Sequence, residues 1–93
     1  MQFAWDEKKA AGNQKKHGVS FMEAQTVFDD YEALLIHDPD SPLDEDRFLL
    51  LGLSAAVNML VVCHCYRESD KLIRIISARK ATRTEAATYG RRK

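Results

Sequence analysis

Branched aliphatic residues are concentrated in two runs in the second half of the chain, with a short polar segment between them. The runs are Leu60–Tyr66 and Leu72–Ala78, and the turn-forming segment Glu68–Asp70 separates them. Residues of this type favour strands, and polar residues bound them. The pattern therefore predicts a β-hairpin, preceded by a central strand at Arg47–Leu53 that is apolar on both faces.

The pattern of apolar and polar residues at the N-terminus predicts a short strand followed by a helix. Phe3–Trp5 has the apolar alternation of a short first strand, and Asp6 is placed to cap a helix that runs to about Lys16 and ends at Gly18. Along that helix a polar stripe recurs at three- and four-residue steps, which predicts a basic, solvated face. Its members are Lys9, Asn13, Lys16 and His17.

A second helix follows, because Ser20 and Glu23 have capping-box spacing. Apolar residues at helical spacing predict that it packs on the core. They are Phe21, Ala24, Val27 and Phe28. The next apolar run, within Tyr31–His37, predicts a strand that ends at the proline-containing loop Asp38–Pro42.

The last element is predicted from another capping box, Thr82 with Glu85. It implies a helix over Thr82–Tyr89 that stops at Gly90, followed by a frayed basic tail, Arg91–Lys93. The order of elements predicts a single α+β domain over residues 1–93. It has a short N-terminal strand and two helices, then a curved antiparallel sheet of three to four strands and a C-terminal helix, with the helices against one face.

Charge is distributed unevenly, although the 93 residues have a net charge of zero. Residues 21–50 contain nine acidic side chains and one arginine, whereas residues 64–93 contain nine basic and three acidic ones. A basic C-terminal part favours polyanionic partners, and an acidic middle repels them.

Residues 48–66 carry no formally charged side chain, and a run of this length could span a bilayer. Polar interruptions at Gly52, Ser54, Asn58 and His64 favour two buried strands instead. The charged N-terminus has no apolar core of the kind that secretory signals need. The two cysteines, one residue apart on a strand, favour free thiols and a cytoplasmic protein.

The predicted hairpin fixes cations on a rigid sheet, which suits phosphate chemistry. Arg67, Arg74 and Arg79 are the candidate phosphate ligands, and His64 is the candidate acid or base. A three-residue turn would place Arg74 opposite His64, so that a 2′-hydroxyl beside a bound phosphate could lose its proton to the imidazole. The alternatives are a buried sheet histidine and a solvated or non-catalytic basic patch.

A metal site is not expected, although Cys63, His64 and Cys65 are potential ligands. Strand alternation turns His64 away from the two thiols, and no second ligand pair completes a set of four. No cofactor is expected either.

Two stretches resemble the BrnT family of type II toxin–antitoxin toxins. They are FAWDEKKAAGNQKKHGVSF from Phe3 to Phe21, and HCYR followed by IRIISARKATRTE between His64 and Glu85. The resemblance implies a RelE/ParE-like fold and a metal-independent endoribonuclease that inhibits translation. It also implies neutralisation by a BrnA-like ribbon-helix-helix antitoxin, in a heterotetramer built on an antitoxin dimer that represses its own operon through operator DNA.

By the same resemblance, catalytic roles fall to His64, Arg67, Arg74 and Arg79. Substrate contacts fall to Lys16 and His17 at the rim, to Lys80, and to Tyr89 as a helix-borne candidate. Two other readings stay open: an inactive relative that only binds antitoxin and assists repression, and a nucleic-acid-binding module.

Overall fold

The computed structural model describes residues 1–91, which form five strands and three α-helices. In chain order they are β1 (Gln2–Ala4), α1 (Glu7–His17), α2 (Phe21–Thr26), β2 (Leu34–His37), β3 (Phe48–Leu53), β4 (Met59–Arg67), β5 (Leu72–Lys80) and α3 (Arg83–Arg91). A 3-10 turn, Val27–Asp29, continues α2. The order and type of these elements confirm the predicted α+β fold.

The sheet has the strand order β1-β5-β4-β3-β2. Neighbouring strands are antiparallel except for β1, which pairs parallel to β5 at one edge. Strand β2 forms the opposite edge. The two long strands β4 and β5 are therefore the rigid centre of the sheet, as the hairpin pattern predicted.

Helices α1 and α2 cover one face of the sheet, which we call the core face. Phe21 and Ala24 of α2 and Val27 of the 3-10 turn are buried there against residues of β4 and β5 such as Val62 and Ile75. Burying one such large apolar side chain contributes about 1.5–3 kcal/mol. This contact is the main hydrophobic core.

Asn13 joins α1 to the sheet rather than to solvent. Its Nδ2 donates to the carbonyl oxygens of Val19 at 2.9 Å and Ala78 at 2.8 Å, and its Oδ1 accepts from the amide of Ala78 at 3.0 Å. The prediction that Asn13 belongs to a solvated stripe is thus wrong, because its carboxamide satisfies backbone groups inside the fold.

The third helix packs on the other face of the sheet. Tyr89 of α3 is buried against Leu51 and Val61, whose side chains point away from the core face. The prediction that all helices lie against one face is therefore wrong. Helix α3 covers only the part of this face near the end of β3.

Side-chain caps fix the ends of the helices. The Asp6 carboxylate accepts from the amides of Lys8 and Lys9, and Gly18 ends α1 in a left-handed conformation at φ 69°. The Thr82–Glu85 capping box is formed in both directions, with N···O distances of 2.8 and 3.1 Å. The expected stop at Gly90 is wrong, since α3 continues to Arg91. Arg92 and Lys93 of the predicted tail lie outside the described residues.

The uncharged stretch that raised the membrane alternative forms β3, β4 and the turn between them. Within residues 1–91, no helix combines the length and the apolar character that crossing a bilayer requires.

Candidate active site

The face of the sheet opposite α1 and α2 carries Arg67, Arg74 and Arg79, and we call it the arginine face. Strand pairing places these residues beside side chains that also point away from the core face. Their respective partners are Leu72, Cys65 and Val61. The structure therefore brings the three predicted cations to one side of the molecule.

A bulge in β5 makes this arrangement possible. Arg74 and Arg79 are five positions apart, and regular alternation would turn them to opposite faces. Between them, however, Cys63 pairs with Ser77 while the adjacent His64 pairs with Ile75. The extra residue on β5, Ile76, shifts the alternation by one position, so both arginines point the same way.

Glu45 lies among the cations at the end of the sheet where β3 begins. Its Oε1 accepts from Nε of Arg47 at 2.8 Å, and its Oε2 forms an ion pair with Nη2 of Arg67. The hydrogen bond from Arg47, aided by the charges of Arg67 and Arg74, holds the pKa of the Glu45 carboxyl below its ordinary value. This carboxylate is therefore ionised and lies within the field of three guanidinium groups.

The loop between β2 and β3 is folded back so that it presents Glu45 and Arg47. Ser41 closes the loop: its hydroxyl donates to the carbonyl oxygen of Asp38 at 2.8 Å and accepts from the amide of Arg47 at 2.9 Å. The amide of Asp38 donates to the carbonyl oxygen of Arg47 at 2.9 Å. Arg47 thus starts β3 at a fixed position.

Arg74 differs from its neighbours because the described residues offer it no hydrogen bond or ion pair within normal distance. Its charge acts on the Glu45 carboxylate and helps to lower the pKa of that group. Arg74 lies across from Cys65 in the strand pairing and is half-buried on the arginine face. An unpaired guanidinium on a rigid central strand is available to an incoming phosphate.

Arg79, in contrast, already holds a carboxylate. Its Nη1 and Nη2 donate to the two carboxylate oxygens of Glu85 at 2.7 and 2.9 Å. With a rise of about 3.3 Å per residue, Arg79 lies roughly 15 Å along β5 from Arg74. A phosphate would have to compete with Glu85 for it.

The two cysteines lie on the arginine face beneath these side chains and are free, buried thiols. Burial, together with the nearby charge of Asp38, raises the pKa of Cys63 to about 11. Cys63 is therefore a neutral thiol at physiological pH rather than a nucleophile. Among the described residues, no three of His, Cys, Asp or Glu converge in the way that metal ligands do.

His64 lies on the core face and pairs with Ile75, so the arrangement in which a three-residue turn places it opposite Arg74 does not occur. Its Nδ1 donates to the carbonyl oxygen of Val62 at 3.0 Å, and its Nε2 accepts from the Tyr66 hydroxyl at 3.2 Å. Phe28 and Phe48 pack on its ring. Burial lowers the pKa of the imidazole, so it is neutral, with no exposed surface. The structure does not bring it to the arginines.

Lys16, His17 and Lys80 also lie away from the arginines. The first two end α1, which covers the core face, and are exposed or half-buried there. Lys80 follows Arg79 in β5 and points to the side of α2, where its charge helps to lower the pKa of Glu23. The sheet separates Lys16 and His17 from the arginines, so the structure does not bring these expected rim residues to the arginine face, and their contact with substrate stays a prediction.

Tyr89 is buried, and its hydroxyl donates to Oδ2 of Asp30 at 2.7 Å. The same Asp30 oxygen accepts from the amide of Leu53 at 2.9 Å. Tyr89 thus fastens α3 to the sheet, and its side chain does not face open solvent.

The sequence reasoning missed Arg47 and Glu45 as members of the site. From the sequence, Arg47 begins the central strand, and Glu45 is one of the nine acidic side chains of residues 21–50. The available signal was that Arg47 is the one cation within the acidic residues 21–50, directly before a buried strand.

A hollow of about 620 Å³ opens beside the site, at the end of the sheet that includes the β4–β5 turn. Its floor is apolar and its walls are mostly acidic. The floor includes Leu35, Phe48 and Tyr66, and the walls include Asp44, Glu45, Asp46, Arg67 and Asp70.

Comparisons with known proteins agree with this architecture. The family model described as "Ribonuclease toxin, BrnT, of type II toxin-antitoxin system" matches residues 5–85. The crystal structure of the ribonuclease toxin BrnT of Brucella abortus has a similar fold, with a TM-score of 0.67 at 22% sequence identity over 89% of this chain and 99% of that one. A comparison with curated protein sequences gives no match. The family match covers most of the chain, which therefore belongs to the BrnT ribonuclease toxins of type II toxin–antitoxin systems.

Proposed function

We propose that this chain cleaves RNA without a metal ion, on the arginine face. The observation that carries the proposal is the group of guanidiniums around Glu45, in which Arg74 has no partner among the described residues. Fixed cations of this kind bind a phosphodiester and stabilise the extra negative charge of its transition state. They supply the charge neutralisation that a metal ion provides in other nucleases.

In this mechanism an RNA phosphate binds Arg74 and takes the place of the Glu45 carboxylate at Arg67. Arg47 keeps its hydrogen bond to Oε1 of Glu45, so the carboxylate stays oriented while Oε2 becomes free. Oε2 then accepts the proton of the neighbouring 2′-hydroxyl as general base. The 2′-oxygen bonds to phosphorus, the bond from phosphorus to the 5′-oxygen breaks, and that oxygen takes a proton from a water molecule. The hydroxide that remains takes the proton from Oε2 of Glu45, which restores the carboxylate. The products are a 2′,3′-cyclic phosphate and a 5′-hydroxyl end.

This mechanism gives the proton-accepting role to Glu45, since His64 lies on the core face. Arg67 and Arg74 keep the phosphate-binding role proposed from the sequence. For Arg79 a phosphate contact stays a prediction, because its guanidinium is held by Glu85.

The direct test is to incubate the purified protein with single-stranded RNA in the presence of EDTA and to analyse the ends of the products. Fragments with cyclic phosphate and 5′-hydroxyl ends are expected. RNA that stays intact while the protein binds antitoxin tightly would favour the alternative of an inactive co-repressor. Salt-sensitive RNA binding without products would favour a plain nucleic-acid-binding module.

The proposal extends to the partner. A type II toxin implies an antitoxin, and we propose a BrnA-like ribbon-helix-helix protein whose dimer binds two toxin chains and represses the operon at its operator DNA. A RelE/ParE-like ancestry, inhibition of translation and action in the cytoplasm belong to the same proposal.

A further inference from the structure

Strand β2 leaves an exposed, apolar edge on the sheet. It pairs with β3 on one side, and within residues 1–91 no strand pairs with its other side. Leu35 and Ile36 are 53% and 48% exposed, although they lie in a strand. Because Asp38 donates its amide inward to Arg47, alternation turns the backbone groups of Leu35 and His37 outward. Such an edge is a template for another strand.

The surroundings of this edge are strongly acidic. Residues 29–46 contain eight aspartates and glutamates and no lysine or arginine. Asp44 and Asp46 are exposed on the loop that follows β2. RNA is repelled by this surface, whereas a basic polypeptide is attracted to it.

The hollow beside the site connects this edge to the arginine face. Leu35 lines it on the side of β2, and Glu45 and Arg67 line it on the side of the proposed catalytic group. An apolar floor under acidic walls suits a lysine or arginine side chain, whose aliphatic stem packs on the floor while its charge meets the carboxylates. Apart from Arg67, the lining of this hollow therefore suits a cationic side chain rather than a phosphate.

We propose that the edge of β2 and this hollow receive a basic, extended segment of the antitoxin. The segment adds a strand to β2, packs its apolar side chains on Leu35 and Ile36, and places one cationic side chain in the hollow. That side chain competes for Glu45 and crowds Arg67, so binding at the edge blocks the site without covering Arg74. The inference rests on the proposed function, in which an antitoxin neutralises the ribonuclease.

The test uses the full-length toxin and the antitoxin encoded beside it. Leu35→Lys and Ile36→Lys place a positive charge on the edge, and Met22→Lys makes the matched change at an exposed position of α2, 66% exposed. Antitoxin affinity is measured by calorimetry, and folding is checked by circular dichroism. RNA cleavage is measured with the free toxin. Each edge variant should bind antitoxin at least about 30-fold more weakly, the size of an interface hot spot. Met22→Lys should bind like the parent.

In cells, the edge variants should stay toxic when the antitoxin is co-expressed, whereas the parent and Met22→Lys should be neutralised. If an edge variant fails to fold, Asp44→Lys provides the second measurement, because it changes only an exposed wall of the hollow. It should weaken binding and reduce its salt dependence.

Unchanged antitoxin affinity in the folded variants overturns the inference. The inference is also overturned if analytical ultracentrifugation shows that the parent toxin is a homodimer, that Leu35→Lys dissociates it, and that antitoxin binding is unaffected. The edge would then bind a second copy of the chain. A parent that cleaves no RNA refutes the proposed function instead, and calorimetry still decides whether the edge binds antitoxin.

Discussion

Arg74 and Arg79 lie five positions apart on one strand and yet point to the same side of the sheet, because Ile76 forms a bulge between them. The two arginines are not equivalent. Arg74 has no ion-pair partner among the described residues, whereas Arg79 is held by both oxygens of Glu85. The bulge places both guanidinium groups on one face of the sheet. The ion pair with Glu85 then occupies Arg79 and leaves Arg74 available to RNA.

Replacing Arg74 with alanine should abolish most of the RNA cleavage. The loss of one fixed donor to the transition-state charge typically costs on the order of 100-fold in rate. Cleavage is measured with purified protein and single-stranded RNA, and affinity by fluorescence anisotropy at several salt concentrations. Lys9→Ala, which removes the same charge from an exposed position of α1, is the matched control. A folded Arg74→Ala protein with parental activity would refute the assignment.

Replacing Glu45 with glutamine should separate RNA binding from cleavage. The amide cannot accept the 2′-hydroxyl proton, and it no longer neutralises Arg67. RNA should therefore bind as tightly as to the parent or more tightly, while single-turnover cleavage falls by about 100-fold or more. Asp46→Asn, which removes a charge from the neighbouring exposed residue, is the control. Faster cleavage by Glu45→Gln would mean that Glu45 only obstructs the phosphate site.

Because of the ion pair between Glu85 and Arg79, the free energy of unfolding should decrease at acidic pH. Hydrogen bonding to Arg79 lowers the pKa of Glu85 to about 2 from an ordinary value of 4.5. Because the folded-state pKa is depressed, this contribution is complete above about pH 4.5 and is lost as the pH falls toward 2. Glu85→Gln should flatten this part of the pH dependence of denaturant unfolding. An unchanged profile would show that the pair contributes nothing measurable.

Much of the fold follows from local patterns in the sequence. The β4–β5 hairpin was predicted because branched residues fill both runs, and α1 and α3 because their capping residues are specific. Helix α3 was assigned to the wrong face, since a short helix with one buried tyrosine gives no sign of the face that it covers. Tyr89 reaches Asp30 across a separation of 59 residues, and no local pattern encodes that contact.

The site was predicted only in part, for the same physical reason. Arginines on a strand indicate a cationic surface, but the bulge at Ile76 determines which of them share a face. The sequence does not indicate this bulge, because branched residues lie on both sides of it. His64 looked catalytic by residue type, whereas its neighbours in space make it a core residue. Glu45 lies beside the cations because the loop is held by a hydrogen bond from the amide of Arg47 to the hydroxyl of Ser41. Residue types alone do not predict this contact.

Gly52 should not tolerate a side chain. A Cβ at this position would lie 2.9 Å from Cβ of Ala33, 2.9 Å from Oδ2 of Asp30 and 3.0 Å from Cγ1 of Val27. Gly52→Ala should therefore destabilise the protein by about 1–3 kcal/mol through overpacking. The free energy of unfolding is measured in urea, with Gly12→Ala as the control, since nothing lies within 4 Å of a Cβ there. Equal stability of both variants would contradict the close packing.

Replacing His64 with phenylalanine should leave RNA cleavage intact and weaken the fold. The variant loses both imidazole hydrogen bonds, leaving the buried carbonyl oxygen of Val62 without this donor, at a cost of about 1–3 kcal/mol. Burial lowers the pKa of His64 from its ordinary 6.5, so the unfolded chain binds a proton near that pH that the folded protein does not. The parent should therefore lose stability as the pH falls below about 6.5, and His64→Phe should lack this loss. Cleavage per folded molecule is measured beside unfolding curves at several pH values. If His64 were catalytic, its replacement would abolish activity in a protein that is still folded.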